Sequence, residues 1–268
     1  MLWKNLHGST DAGPGQDLAA SRRQRLAALV EARRAVRLEE LSTALGVSQA
    51  TVRRDLNELA AAGRVRRVHG GAVAVDQRLD EPHFDVKAAA SAEEKARIAA
   101  RAVELLTPAD VVYLDSGSTV LAAARLLHGW SRLTVVTNSL PVANELVGRG
   151  PRVIVIGGEL RATSRAIVGP LTRLLLEALH VDRALMGTFA LSVEEGLSTT
   201  DPAEAYTKQL VCARAREVIL LADSTKVGTR SFVDAGRLED VDILVTDSGI
   251  DDRTARAIAR RGVRVITA

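Results

Sequence analysis

Only one cysteine, Cys212, stands among the 268 residues, so no disulfide can form within the chain, and burial as a small core residue is its expected role. Long apolar runs are also missing. No stretch approaches the roughly 18 consecutive apolar residues of a membrane-spanning helix. The opening residues, MLWKNLHGSTDAGPGQD, carry neither the apolar stretch nor the cleavage site of a secretory signal. These absences lead us to expect a cytoplasmic protein with no membrane partner, with residues 1–20 as a disordered lead-in. There is no phosphate-binding P-loop and no dinucleotide fingerprint, and His7, His69, His83, His128 and His180 are scattered. Neither a cofactor nor a metal is therefore expected. Lysine is scarce, 5 residues against 31 arginines, so arginine richness alone carries little weight.

What is present is an uneven distribution of charge. Residues 21–75 hold 11 arginines and 5 acidic residues, a balance of +6, whereas the whole chain sums to +3. A basic N-terminal module on a slightly acidic body suits a polyanionic partner for that module alone. Its pattern is specific. Ser21 and Gln24 have capping-box spacing before Leu26, Leu29 and Val30, which repeat at helical intervals. A second helix is expected at about 38–45, closed by Gly46, and Ser48 is placed to cap a third whose Val52, Leu56 and Leu59 form one apolar stripe. After Gly63 the pattern alternates, with Val65 and Val68 on one side, a turn at Gly70-Gly71 and a return through Val73 and Val75. Three helices and a hairpin make a winged helix-turn-helix over residues 21–75. With the apolar stripe inward, Arg53, Arg54 and Asn57 face outward, Ser48, Gln49 and Thr51 sit at the helix start that meets base edges, and the wing adds Arg66, Arg67 and His69. Asp55 lies nearer the stripe and is expected to anchor an arginine or a helix end. The partner expected is double-stranded DNA, read by a symmetric pair, hence a homodimer or homotetramer.

Residues 76–90, polar and then alanine-rich, read as a linker. Beyond them helical stretches alternate with apolar runs at 111–115, 133–137, 152–157, 183–187, 217–223, 242–247 and 263–268. Such runs suit a parallel sheet covered on both faces, so the fold class is α/β, with the winged helix-turn-helix first and a parallel-sheet domain over 91–268. Ligands of such sheets sit beyond the carboxyl ends of the strands, where several of these runs end in small polar residues. Gly117 permits close backbone approach, and Ser118 and Thr119 offer hydroxyls at a helix start. Thr137 and Asn138 can bond hydroxyls, Arg161 follows Gly157-Gly158, Glu204 and Lys208 are spaced for one helix face, and Asp223 and Lys226 bracket another strand end. Plainer readings stand beside these: a surface helix pair for Glu204 and Lys208, an ordinary turn for Gly157-Gly158, a loop cap for Asp223.

Read together, LEELSTALGVSQATVRRDLNELAAAGRVRRVHGGA, LDSGST, VVTNSL, IGGELR, VGP, GLSTTDPAEAYTKQL, LADSTKVG and ILVTD occur in one order. That series resembles the DeoR family of bacterial transcriptional regulators, over residues 21 to about 250. The resemblance implies a C-terminal domain similar to ribose-5-phosphate isomerase, serving as a sensor of phosphorylated sugars that controls an N-terminal DNA-binding domain, and a repressor of carbohydrate metabolism genes. It places ligand binding on Asp115, Gly117, Ser118, Thr119, Asn138, Gly158, Lys208, Asp223 and Lys226. Two stretches depart from it, residues 1–20 and TFALSVEE at 188–195, where the family often has a glycine-rich run. The alternative is an isomerase-type enzyme with an accessory DNA-binding domain, for which Asp115, Glu204 or Asp223 would have to supply the base.

Overall fold

Apolar residues spaced for helices and strands collapse into separate cores in the computed structural model, which describes residues 14–33, 35–61, 64–68, 70–74 and 80–268. The chain divides into two units, Met1–Val75 and Asp76–Ala268.

The first unit runs α1 (Pro14–Arg33), β1 (Ala35–Arg37), α2 (Leu38–Leu45), α3 (Gln49–Ala61), β2 (Val65–Val68) and β3 (Gly71–Ala74). Val52, Leu56 and Leu59 of α3 meet Leu26, Val30, Leu41 and Val65 in one core, as the stripe predicts. Gly46 ends α2 in the left-handed region at φ 66°, and the Ser48 hydroxyl caps α3 by accepting from Thr51 N at 3.2 Å. Asp55, 1% exposed, accepts a two-pronged bond from Arg22 at 2.6 and 3.1 Å, which removes an otherwise costly buried charge and locks α1 to α3.

Several expectations are corrected here. α1 begins at Pro14, so Ser21 lies inside a helix rather than capping one, and the lead-in extends no further than residue 13. Val65 is buried but Val68 is exposed, because residues three apart in a strand point to opposite faces. A third strand, β1, pairs with β3, giving the order β1-β3-β2. It explains Gly71, where a Cβ would come within 2.2 Å of the Val36 carbonyl oxygen. Val75 and His69 lie outside the described residues.

The second unit runs α4 (Phe84–Ala89), α5 (Ala92–Val103), β4 (Val111–Leu114), α6 (Ser118–Arg125), β5 (Thr134–Thr137), α7 (Leu140–Leu146), β6 (Arg152–Val155), β7 (Glu159–Arg161), β8 (Ala166–Val168), α8 (Arg173–Ala178), β9 (Val181–Gly187), β10 (Ala190–Ser192), β11 (Gly196–Thr199), α9 (Pro202–Cys212), β12 (Ala215–Leu221), β13 (Val233–Gly236), β14 (Ile243–Thr246), α10 (Asp252–Arg260) and β15 (Arg264–Thr267). Every apolar run read as a strand enters one seven-stranded sheet of order β15-β14-β12-β9-β4-β5-β6, parallel throughout. Alternate strand residues feed opposite cores. Val112, Leu114 and Leu185 pack with α5, α6 and α7, whereas Tyr113, Ala184 and Met186 pack with α8, α9 and α10. The chain winds outward from β4 to β6, then returns to β9 and winds the other way. The carboxyl ends of β4 and β9 are therefore the point where the winding reverses, the usual crevice of such sheets.

Residues 80–90, read as a linker, belong structurally to this unit. Phe84 is buried in its core, its amide donates to the Thr163 carbonyl at 2.9 Å, and the Arg165 guanidinium lies 5.6 Å from its ring centroid. Also unforeseen were the β7–β8 hairpin and the antiparallel sheet β10-β11-β13.

Candidate functional site

Two surfaces carry the chemistry. In the first unit, Ser48, Gln49, Arg53, Arg54 and Asn57 are exposed along α3, and Arg66 and Arg67 along β2. Thr51 is half-buried, its hydroxyl 2.9 Å from that of Ser48. Arg67 donates to the Asn57 side-chain oxygen, which ties the wing to α3 and orients both groups on one face. Among the described residues Arg53, Arg54 and Arg66 have no ion-pair or hydrogen-bond partner. Three guanidinium groups without counter-charge, on a helix and a wing, are suited to phosphates and guanine edges.

The second surface is the rim where β4 and β9 end. Asp115, 1% exposed, accepts from Gly187 N at 3.0 Å and from the ammonium of Lys208. Lys208 also donates to the Gly187 carbonyl at 3.0 Å and lies 3.8 Å from Glu204. Burial alone would push the Lys208 ammonium down, but Asp115 and Glu204 outweigh it and hold its pKa above the usual lysine value. Burial dominates at Glu204 and raises its carboxyl. The plain reading of Glu204 and Lys208 as a surface pair is thus overturned, since both are buried. Lys208 is fully engaged in joining α9 to the strand ends.

Beside this pair lies a cationic cluster. Lys95, on α5, donates to the carbonyl of Lys87, and the Ser118 hydroxyl donates to the same carbonyl at 3.3 Å. That junction sets Lys87 and Lys95 against the Gly117–Ser118 turn at the start of α6. Gly117 has φ 132°, which an L side chain rarely adopts, and the space beside its Cα is open for at least 4 Å. Lys226, in the turn after β12, completes the cluster. Burial lowers the pKa of both Lys95 and Lys226; Asp223 opposes the shift at each, while Lys87 adds to it. The Lys226 ammonium has no hydrogen-bond or ion-pair partner among the described residues and lies 5.3 Å from the Phe189 ring centroid. Asp223 instead caps the Ser224–Lys226 turn through Thr225 N at 3.2 Å. Partly buried ammonium groups without an ion-pair partner, such as those of Lys95 and Lys226 among the described residues, attract an anion.

Sequence reasoning missed Lys87 and Lys95 because both were assigned to linker or to helix filler. A usable signal was the rarity of lysine: four of the five, Lys87, Lys95, Lys208 and Lys226, gather at this rim. It also missed Glu81, which is held by Lys87, by Arg161 at 2.6 Å and by the Thr200 hydroxyl at 2.8 Å. Arg161, the cation that follows Gly157-Gly158, is occupied by Glu81, Glu204 and Asp201.

The remaining sequence candidates fall into place unevenly. Thr119 is buried in the first turn of α6. Asn138 is buried at the end of β5; its amide nitrogen donates to the Ile167 carbonyl at 3.1 Å, and its side-chain oxygen has no partner among the described residues. Thr137 is used internally, donating to the Leu114 carbonyl at 2.6 Å. Gly158 answers to packing: a Cβ there would stand 2.8 Å from Ile167 and 3.0 Å from Thr172. Burial pushes the Cys212 thiol up to about 12, so it is no nucleophile at neutral pH. Among the described residues no group of three or more His, Cys, Asp or Glu could hold a metal ion, and no helix is long and apolar enough to cross a membrane.

The chain matches known proteins over both of its units. The family model described as the DeoR-like helix-turn-helix domain matches residues 22–78, and that of the DeoR C terminal sensor domain matches residues 90–248. The HTH-type transcriptional regulator GlpR of Haloferax volcanii is 39% identical over 249 residues, covering 93% of this chain and 98% of the relative. The glycerol-3-phosphate regulon repressor of Escherichia coli is 35% identical over 221 residues, 82% of this chain and 87% of the relative. Among solved structures, ribose 5-phosphate isomerase A of Methanocaldococcus jannaschii is similar with a TM-score of 0.39 at 18% identity, over 52% of this chain and 55% of that one.

The two kinds of lysine at the rim should separate by stability. Lys208→Met strands the buried Asp115 carboxylate and should cost about 3–5 kcal/mol in denaturant unfolding. Lys226→Met removes a half-buried, unpaired charge and should change stability by less than about 1 kcal/mol. Equal losses in the two variants would refute this division of labour.

Proposed function

The chain belongs to the DeoR family of transcriptional regulators, and from that premise we propose that it is a repressor released from operator DNA by a phosphorylated sugar or polyol. The observation that carries the effector half is the cluster of Lys87, Lys95 and Lys226 beside the Gly117 turn, in which only Lys87 has an ion-pair partner among the described residues. A phosphate monoester bears close to two negative charges at neutral pH and offers several acceptor oxygens to such a cluster. Ser118 and the open side-chain oxygen of Asn138 suit the hydroxyls of the rest of the ligand. The name of the E. coli relative, a glycerol-3-phosphate regulon repressor, supports that chemical class.

In this reading Ser48, Gln49, Thr51, Arg53, Arg54, Asn57, Arg66 and Arg67 meet DNA, and Asp115 and Lys208 frame the effector site without touching the phosphate. Domain limits of 21–75 for DNA binding and 80–268 for sensing, and a place of work in the cytoplasm, belong to the same proposal. Assembly as a homodimer or homotetramer belongs to it too, with Leu171 and Leu174, 73% and 83% exposed, as side chains that a second copy would cover. A monomer by sedimentation at micromolar concentration, with and without DNA, would remove that part. The isomerase alternative needs a free carboxylate. Asp115 is spent on Lys208 and Gly187, Glu204 on Arg161, and Asp223 on Thr225. The arrangement favours binding without turnover.

Two variants test the reading with DNA from upstream of the protein's own gene. Arg53→Ala/Arg54→Ala should abolish the specific gel shift with little change in melting temperature, since both side chains are exposed and unpaired. Intact specific binding by this double variant would sink the α3 assignment. Lys226→Ala should still bind the operator but require at least about tenfold more effector for release, because a lost charge-assisted bond is worth roughly that factor. A release curve identical to that of the wild type would reject the phosphate role of Lys226.

A further inference from the structure

Glu81 is a buried carboxylate whose partners are cations of the sensing rim. Its side chain is 4% exposed and accepts from the Lys87 ammonium, from Arg161 at 2.6 Å and from the Thr200 hydroxyl at 2.8 Å. These partners come from separate places: Lys87 lies on α4, Arg161 ends β7, and Thr200 follows β11. Burial would raise the Glu81 carboxyl, but Lys87 and Arg161 overcome it and hold it below its ordinary range. The backbone that presents this anion, residues 80–83, belongs to no helix or strand. The other carboxylates of the network, Asp201 and Glu204, sit at the start of α9, with Asp201 capping it through Ala203 N and Glu204 N at 2.9 Å each. Arg161 already serves both of them at 3.2 Å. Of the carboxylates sharing these cations, Glu204 lies within α9 and Asp201 is tied to it as its cap, whereas Glu81 belongs to no helix or strand and caps none.

We propose that Glu81 is an internal competitor for the effector's cationic site, set to be displaced by a phosphate monoester and not by a singly charged carboxylate. The proposal rests on the reading of Lys87, Lys95 and Lys226 as a phosphate site. Lys87 is the shared group. It faces Glu81 directly and adds to the electrostatic load on Lys95 and Lys226. A phosphate arriving among the three lysines draws Lys87 toward itself. Its negative charge also repels Glu81, and Arg161 retains Asp201 and Glu204 when Glu81 leaves. A monoanion replaces one carboxylate by another of equal charge and gains nothing. A phosphate brings nearly twice the charge and more acceptors, so it wins the exchange. Glu81 thereby sets both the affinity of the sensor and its preference for phosphate esters over sugar acids.

The test titrates the full chain with inorganic phosphate and separately with acetate, at constant ionic strength, by calorimetry. The wild type is compared with Glu81→Gln and Thr200→Val, the second of which removes the hydroxyl that donates to Glu81 and accepts from Arg161 at 3.1 Å. Glu81→Gln should bind phosphate about tenfold more tightly and should bind acetate measurably, a gain that mere structural damage does not produce. Thr200→Val should move in the same direction by less, and it keeps the comparison open should Glu81→Gln fail to fold. Unchanged or weaker phosphate binding by both variants, with the wild type binding, overturns the role of Glu81 and leaves the phosphate site standing. No phosphate binding by any of the three overturns the site reading and this proposal with it.

Discussion

The buried ion pair between Asp115 and Lys208 holds the sensing unit together at the place where its chemistry must happen. β4 and β9 are the strands at which the winding of the sheet reverses, and Asp115 reaches from the end of one to the amide at the end of the other. Lys208 closes the arrangement from α9 by bonding both the carboxylate and the Gly187 carbonyl. Two charges are taken out of water here, which is costly unless nearly every donor and acceptor is matched. They are matched, so the crevice has a rigid floor. Asp115 and Lys208 are occupied with each other and with Gly187, and in the proposed reading anion binding passes to the groups around them.

Those surrounding groups are poised differently. Lys95 and Lys226 are partly desolvated with too little opposing charge, so their pKa values fall, whereas that of Lys208 rises. Among the described residues, the sign of the shift separates the lysines without an ion-pair partner from the one with two. A site that carries this unrelieved cost in its free state gains it back when an anion arrives, which is how a binding pocket can be kept both folded and receptive. The DNA-binding unit follows the same rule in water. Asp55 takes Arg22 to fasten α1 to α3, while Arg53, Arg54 and Arg66 are left without partners on the surface.

How much of this could be read from sequence depended on the length of the signal. The seven parallel strands were legible because strands buried on both faces need continuous apolar runs, such as VVYL at 111–114 and ILVT at 243–246. The stripe on α3 was legible because three buried residues recur at helical spacing. The strands that escaped notice, β1, β7, β8, β10, β11 and β13, are short, and most are broken by polar residues or glycine, as in ELR, GLST and VDAG. Ser21 looked like a cap because its neighbours fit a capping box, but α1 starts at Pro14, ahead of it. Glu204 and Lys208 had the right spacing for a pair, and spacing cannot say whether water or protein surrounds it. Glu81 and Lys87 were hidden by their setting, since alanine-rich polar sequence after a domain reads as a linker until Phe84 is seen in the core.

The lysines offer the most general lesson in how a composition can point to a site. A chain that uses arginine for nearly every cation keeps lysine only where guanidinium would serve poorly. Arginine is broad, planar and always charged, which suits the exposed face of α3 and the two-pronged bond to Asp55. Lysine is a compact point charge on a flexible stem, and its pKa yields to burial. Lys208 must fit its ammonium between a carboxylate and a carbonyl at the end of a strand, where a planar fork would push the strands apart. Lys95 must do the same beneath the carbonyl of Lys87. Lys226 must stay partly desolvated over an aromatic ring, at a lower cost in charge than an arginine could offer. In such a composition, each retained lysine marks a place where the protein needs a small, adjustable charge, and four of the five converge on the rim.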